Sequence, residues 1–456
     1  MPRQPHIAYI AWGFPPSRSG GVYRQLATAN ALAAAGWSVT VLTVERRVFT
    51  DITGADESLE ARVDPRVEVL RTRFDWPLRD QDRATWPLRR RVWPRAWRKA
   101  RVAYELAVFP EVGYATWLKT LRGALAELHR RRPIDLVMAS GNPFAAFAAA
   151  YRFHRRASVP YVLDYRDSWI LDQFTGAQRF PDRSRQARWE RRLIAAAAQV
   201  WFVNPATLEW HAARYPQAAA RFRVVANGWD PESLAPPAPS GSASPATPSD
   251  AVSPAGGAGG GGRPLTFGYL GTITAKVPVA QLLEGWRLAK ADGLTPADAR
   301  LVVAGYLGYF GGRPDQRRDP TAAALEAARP DGVEFVGPVP KGEVAAFYAA
   351  LDGLVLAIDA GPHVTTGKVF EYAALGKPIV SVHPPEADAS RVLDGHPLWA
   401  PVAALTAPEV AAAFGRAAAL AQGLTPAQTA AALAFGQRFT RQRQLGPAIA
   451  GLKNLL

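Results

Sequence analysis

Two series of short apolar runs, each alternating with Ala-rich stretches of helical period, constrain the fold of this 456-residue chain more than any other feature. When a helix must intervene before the next strand, the chain is carried back to the edge it started from and the two strands pair in parallel. The first series opens with a buried strand from Ile7 to Tyr9 and the loop GFPPSRSGG. The periodic run VYRQLATANALAAAG follows, stopped by Gly36, and then a strand from Trp37 to Val44. Further strands are expected at Leu136 to Ala139, Tyr161 to Asp164, Val200 to Asn204 and Phe222 to Val225. The second series runs through LTFGYLGTI, ARLVVAGYLG, VEFVGPV, GLVLAID and PIVSVHP. The fold class is therefore α/β, with two Rossmann-like parallel-sheet domains. No short repeat of fixed period is present, which excludes solenoids and propellers.

Between the two series, from Ala235 to Arg263, the chain is almost entirely Pro, Ala, Ser and Gly. Such a segment cannot bury enough apolar surface to offset its ordering entropy and reads as a disordered linker. The expected division is a first domain over 1–234, the linker over 235–263 and a second domain over 264–435. From Phe435 onward, FGQRFTRQRQLGPAIAGL places apolar residues at helical spacing.

A hydrophobic content of 48% with 20% charged residues is that of a globular protein. The absence of Cys excludes disulfides, thiolate zinc sites and a cysteine nucleophile, and fits a reducing compartment, so the cytoplasm is the default location. The N-terminal apolar run is too short for a signal peptide and is broken by Pro15 and Pro16. The apolar stretch from Leu193 to Val203 falls short of the ~18–20 residues a membrane-spanning helix needs. A soluble or peripheral protein is expected. The formal net charge of +15 comes almost wholly from arginine, with Lys at only eight positions, and does not by itself call for nucleic acid. Residues 71–101 hold eleven Lys or Arg against three Asp, interleaved with Phe74, Trp76, Trp86, Trp93 and Trp97. Tryptophan among cations suits an anionic membrane surface, and docking on the inner face of the cell membrane is one expectation. A helical insertion with core tryptophans and a site for a polyanionic acceptor are the two others. The string Asp80-Gln81-Asp82 has metal-motif spacing but lies in a polar, Arg-rich stretch where chance accounts for it.

The most informative chemistry lies between Asp359 and Val382, DAGPHVTTGKVFEYAALGKPIVSV. Thr365 or Thr366 caps a helix that is expected to run through Phe370 and Ala373 to Gly376. Its free N–H groups suit a diphosphate, with Gly367 at the start, Lys368 adding charge and Glu371 able to accept two ribose hydroxyls. The plainer reading is that Glu371 only complements the helix dipole and Lys368 is solvated. The turn YLGTITAKV presents Gly271 and Lys276 as a second phosphate cradle. In this Arg-rich chain, Lys276, Lys341, Lys368 and Lys377 all fall in turns of the second half, where a compact ammonium suits a phosphate.

These motifs resemble the retaining GT-B glycosyltransferases of family 4, especially bacterial members that build polysaccharides and glycolipids. The resemblance covers nearly the whole chain apart from the linker. It implies two Rossmann-like domains facing across a cleft that holds the active site, with a C-terminal helix over 436–456 returning to the first domain. FPPSRSGG is similar to the family's first glycine loop, which places Gly20 and Gly21 against the donor. NGWD at Asn227 to Asp230 is similar to the turn before the domain crossover. GTITAK resembles the phosphate loop, with Lys276 as its lysine, and GKVFEYAALGKPIV the nucleotide-binding helix, with Glu371 as the ribose-binding residue. VEFVGPVPKGE resembles the base-binding loop, so the backbone around Val339 and Pro340 would face the nucleobase. Three positions depart from the pattern: His363 replaces a glutamate eight residues before Glu371, Thr272 an arginine, and Arg166, beside Asp167 in DYRDSW, a histidine.

The resemblance implies sugar transfer from a nucleotide-sugar co-substrate to a saccharide or lipid-linked acceptor, with retention and with neither metal nor resident cofactor. Lys276, Lys368 and the helix end would stabilise the leaving diphosphate, and Arg166 with Asp167 would orient donor or acceptor. The departures keep open a non-catalytic nucleotide-sugar-binding partner subunit, and the fold keeps open a nucleotide-sugar epimerase.

Overall fold

Helical crossovers enforce parallel pairing in both halves of the protein. The structure, a computed structural model, describes residues 3–80, 82–234, 263–308 and 320–456. It divides into two compact units, one of residues 1–226 with 442–456 and one of residues 227–441.

The first unit carries β1 (His6–Ile10), β2 (Ser38–Val44), β3 (Val67–Thr72), β4 (Leu136–Gly141), β5 (Tyr161–Tyr165), β6 (Gln199–Phe202) and β7 (Phe222–Val224). All pair in parallel in the order β3-β2-β1-β4-β5-β6-β7. The chain builds outward from β1 in one direction, then returns beside β1 with β4 and builds outward in the other. Such a reversal leaves a crevice at the carboxyl ends of the strands, where ligands bind in open α/β sheets. The strands β1, β4 and β5 are fully buried, as a sheet covered on both faces requires. One covering layer includes helices Ala115–Arg131 and Ala145–Ala157, and the other helix Val22–Ala34. On that second face Leu445, Ile449 and Leu452 of the C-terminal helix Arg441–Leu452 pack with Ile7, Tyr9 and Trp37. The C-terminal helix thus completes the core of the first unit.

The second unit carries β8 (Thr266–Leu270), β9 (Arg300–Ala304), β10 (Val333–Gly337), β11 (Gly353–Ala357), β12 (Ile379–Val382) and β13 (Trp399–Ala400). Their order is β10-β9-β8-β11-β12-β13, again parallel and again reversed at the first strand, between β8 and β11. Residues 227–234 and 436–441 belong to this unit because the NGWD turn clasps the later segment. Trp229 donates its backbone N–H to the Phe439 carbonyl (3.0 Å) and its indole N–H to that of Gly436 (2.8 Å). Arg441 pairs with Asp230 at 2.9 Å. Gly228 is needed here, since its φ is +61° and a Cβ would sit 2.7 Å from the Phe439 carbonyl oxygen. Of the linker expected over 235–263, residues 235–262 lie outside the described residues.

The basic segment after β3 is a helical insertion with helices Leu88–Val92 and Pro94–Val108. Its five aromatic residues do not share one fate. Phe74 is core, Trp76 packs against Phe74 and Tyr114, and Trp86 and Trp97 lie 3.8 and 4.6 Å from the Arg90 guanidinium. Only Trp93 is well exposed, at 66%. Asp80 accepts from the Thr85 hydroxyl at 2.8 Å and pairs with Arg90 at 3.3 Å, so it builds a turn. Among the described residues no helix is long and apolar enough to cross a membrane.

The first unit is pinned by a buried ion pair. Arg24 Nη2 lies 2.6 Å from Asp164 Oδ1, with both side chains almost wholly excluded from water. Arg24 also donates to the carbonyls of Val225 and Ala226, tying β5 and the exit from the sheet to one helix. Removing one partner strands the other charge, so Arg24→Met is expected to cost about 3–5 kcal/mol in urea unfolding. The double variant Arg24→Met, Asp164→Leu should recover much of that loss.

Candidate functional site

In the second unit the strand ends form a bare backbone platform. The strands β8, β9 and β10 are closed by Gly271, Gly305 and Gly337, and Gly305 donates its N–H to the Gly337 carbonyl at 2.8 Å. A Cβ on Gly305, whose φ is +139°, would stand 1.7 Å from the Gly271 carbonyl oxygen. No other residue fits. This glycine series was visible in the sequence as strand after strand ending in Gly, a signal that reading each turn alone misses.

The loop after β8 runs from Gly271 through exposed Thr272 to half-buried Lys276. The Lys276 carbonyl accepts the Asp359 N–H at 2.7 Å, which ties this loop to the one after β11. That second loop carries His363, half-buried, and Thr365, whose hydroxyl hydrogen-bonds the buried Asp388 carboxylate. Thr366 caps the next helix by accepting the Lys368 N–H at 3.3 Å. The helix spans only Gly367–Tyr372, shorter than expected, because the chain turns at Ala373 toward Gly376, whose φ is +63°. Within that short helix, Lys368 Nζ lies 2.8 Å from Glu371 Oε2 and 2.8 Å from the Tyr348 hydroxyl, which itself donates to Glu371 Oε2 at 3.1 Å.

Burial pushes the Glu371 carboxyl up, but the Lys368 ammonium, Lys341 and the Tyr348 hydroxyl outweigh it and hold it below the usual carboxylate range. Glu371 is thus an ionised acceptor just past the first turn of this helix. Lys368 is ion-paired with Glu371 rather than simply solvated. Val339, half-buried, and Pro340, exposed, follow β10. Tyr348, on helix Val344–Ala350, is the site residue that sequence reading missed, since its role depends on a contact across 23 residues.

In the first unit, Gly20 and Gly21 precede helix Val22–Ala34. A Cβ on Gly21 would meet the Arg166 guanidinium carbon at 2.9 Å, whereas Gly20 has open space around it. The structure therefore brings Gly21 together with Arg166, which ion-pairs with Asp167 at the end of β5. The Arg166 Nε is buried with no hydrogen-bond partner among the described residues.

Residues 19–228 match the family described as Glycosyl transferase 4-like domain, and residues 264–421 that described as Glycosyl transferases group 1. The chain belongs to the family 4-like glycosyltransferases of GT-B fold, and it is a glycosyltransferase. It is similar in structure to sucrose-phosphate synthase from Thermosynechococcus elongatus, with 15% identity, 99% of this chain and 98% of that one covered, and a TM-score of 0.61. A glycosyltransferase from Rickettsia africae gives 12% identity, the same coverages and a TM-score of 0.61. WaaG, a glycosyltransferase involved in lipopolysaccharide biosynthesis, gives 13% identity, coverages of 97% and 98%, and a TM-score of 0.53. No curated protein matches the chain in sequence.

A carboxyl with a lowered pKa contributes stability above the ordinary carboxylate pKa, and that contribution is lost as pH falls through the lower folded value. Glu371→Gln should therefore lower the melting temperature at pH 7 and lower it progressively less below about pH 4, as followed by calorimetry.

Proposed function

We propose that the second unit holds the diphosphate and ribose of a nucleotide-sugar donor and that the first unit presents the acceptor. The observation that carries this reading is the ionised Glu371, held by Lys368 and Tyr348 in the unit whose strands β8, β9 and β10 end in glycine. Glu371 accepts the ribose hydroxyls, the backbone around Val339 and Pro340 faces the base, and Gly271, Thr272, Thr365, Thr366 and Gly367 line the phosphates. His363 faces the donor sugar. Lys276 and Lys368 supply positive charge as the bond from the anomeric carbon to the diphosphate oxygen breaks, which supports transfer without a divalent ion. In a retaining transfer the acceptor hydroxyl attacks from the leaving group's side and its proton passes to that diphosphate oxygen. Arg166 and Asp167, with Gly20 and Gly21, orient the reacting groups.

The reading extends to a membrane surface in the cytoplasm. Leu88, Val92, Trp93 and Tyr104 are each at least half exposed on the insertion, beside exposed Arg89, Arg91, Arg95, Arg98 and Lys99. Apolar side chains among cations suit an anionic leaflet, at about 1 kcal/mol per cation in contact. The acceptor class that fits this surface is lipid-linked or polysaccharide.

Lys276→Ala and Glu371→Ala should each lower transfer by about 10²–10³-fold with the fold retained, measured by sugar release from UDP-, GDP- and dTDP-sugars. Full activity in either variant removes the donor assignment. In vesicle co-sedimentation the protein should bind anionic vesicles at low salt and release them at high salt. Equal binding to neutral vesicles removes the membrane role.

A further inference from the structure

The insertion after β3 encloses more than a docking face. Between it and the helix Arg46–Ile52 lies a cavity of about 1080 Å³, at the carboxyl ends of β2 and β3. That volume is enough for a saccharide of one or two rings with a charged substituent. Its position at the strand ends is where an open parallel sheet binds ligands.

The wall has an unusual charge inventory. Five guanidinium groups line it, those of Arg47, Arg73, Arg79, Arg90 and Arg101, against the carboxylates of Asp51, Asp75 and Asp80. Asp75 is shared between Arg47 (3.1 Å) and Arg73 (3.0 Å), and Asp80 is taken by Arg90. Arg47 also pairs with Glu45 at 2.7 Å and Arg101 with Glu105 at 2.7 Å, so most of the set is matched, and Arg79 alone of the five has no carboxylate at ion-pair distance among the described residues. Arg79 lies on the face of Trp76, its guanidinium carbon 4.5 Å from the ring centre. Arg101 spends its Nε on Glu105 at 2.7 Å, while its Nη2 is buried with no hydrogen-bond partner among the described residues. A buried N–H donor left unmade costs free energy, and a ligand oxygen placed there recovers it. Trp76 and Trp97 also line the cavity.

We propose that this cavity binds the anionic part of the acceptor, a phosphate or carboxylate carried on a saccharide, with Arg79 and Arg101 as its principal donors. The proposal rests on the reading of the chain as a transferase whose donor occupies the second unit. It narrows the acceptor from any saccharide to one bearing negative charge near the ring. The same phosphate chemistry arrives either on a soluble sugar phosphate or on a polyprenyl phosphate in a bilayer.

The test is thermal unfolding of the full chain in saturating UDP, GDP and dTDP, which occupy the donor site. To this are added glucose 1-phosphate, glucuronate or neutral glucose in turn, and separately phosphatidylcholine vesicles with or without polyprenyl phosphate. An anionic sugar, or the vesicles that carry the phosphate, should raise the melting temperature, by about 5–10 °C at one hundred times the dissociation constant. Neutral glucose and plain vesicles should not. Arg101→Gln should weaken that response about tenfold or more, and Arg79→Gln, on the exposed rim, provides the same reading if Arg101→Gln does not fold. A response to sugar phosphate alone identifies a soluble acceptor, and one to the doped vesicles alone a lipid-linked one. Either supports the site. Equal responses to glucose and glucose 1-phosphate, no response to any anionic probe, or a full response in the folded variants overturns it. Loss of stabilisation by the three nucleotides, with the anionic-sugar response intact, counts against the donor reading instead.

Discussion

Parallel pairing is the constraint on which the rest of this structure depends. In an antiparallel sheet, successive loops fall on alternate edges. Here every strand in both units runs the same way, so the loops that follow them collect at one edge. That is why residues as distant in sequence as Gly21 and Arg166, or Tyr348 and Glu371, end beside one another. The reversal of strand order at β1 and again at β8 opens a crevice at that edge in each unit. Polar contacts then fix what the sheets bring near, the buried Arg24–Asp164 pair in the first unit and the partly buried Lys368–Glu371–Tyr348 group in the second.

The legible parts of the fold were those set by local pattern. Strands flanked by Ala-rich helices could be read from apolar runs because both sheet faces are covered. The strand β3 is hard to see in the sequence because it lies at the sheet edge, where VEVLRT carries Glu68 and Arg71 among its apolar residues. The strand β13 is only two residues long, below any periodic signal. The helix after Thr366 is shorter than its apolar pattern suggests, since the continuation through Ala373 is apolar for burial rather than for helix.

The site was legible where a motif is contiguous and illegible where it is assembled by the fold. Gly271, Lys276, Lys368 and Glu371 stand in short recognisable strings, whereas Tyr348 and Arg24 act through contacts that no spacing rule announces. Composition also misleads by itself. The five aromatic residues of the insertion have one character in sequence, yet one is core, one packs on that core, two stack on Arg90 and one faces solvent. Similarly, much of the arginine excess is structural, as the pairs of Arg24, Arg71 and Arg441 show.

The central claim is that Glu371 receives the ribose of a nucleotide. Its most direct test is equilibrium binding of UDP and GDP against their 2′,3′-dideoxy counterparts, with the native protein and with Glu371→Gln. Loss of hydrogen bonds to a charged acceptor should weaken the native protein's affinity for the dideoxy forms by about tenfold to a hundredfold, and Glu371→Gln should discriminate far less. Equal affinity of the native protein for both forms, or undiminished discrimination by the variant, would contradict the assignment.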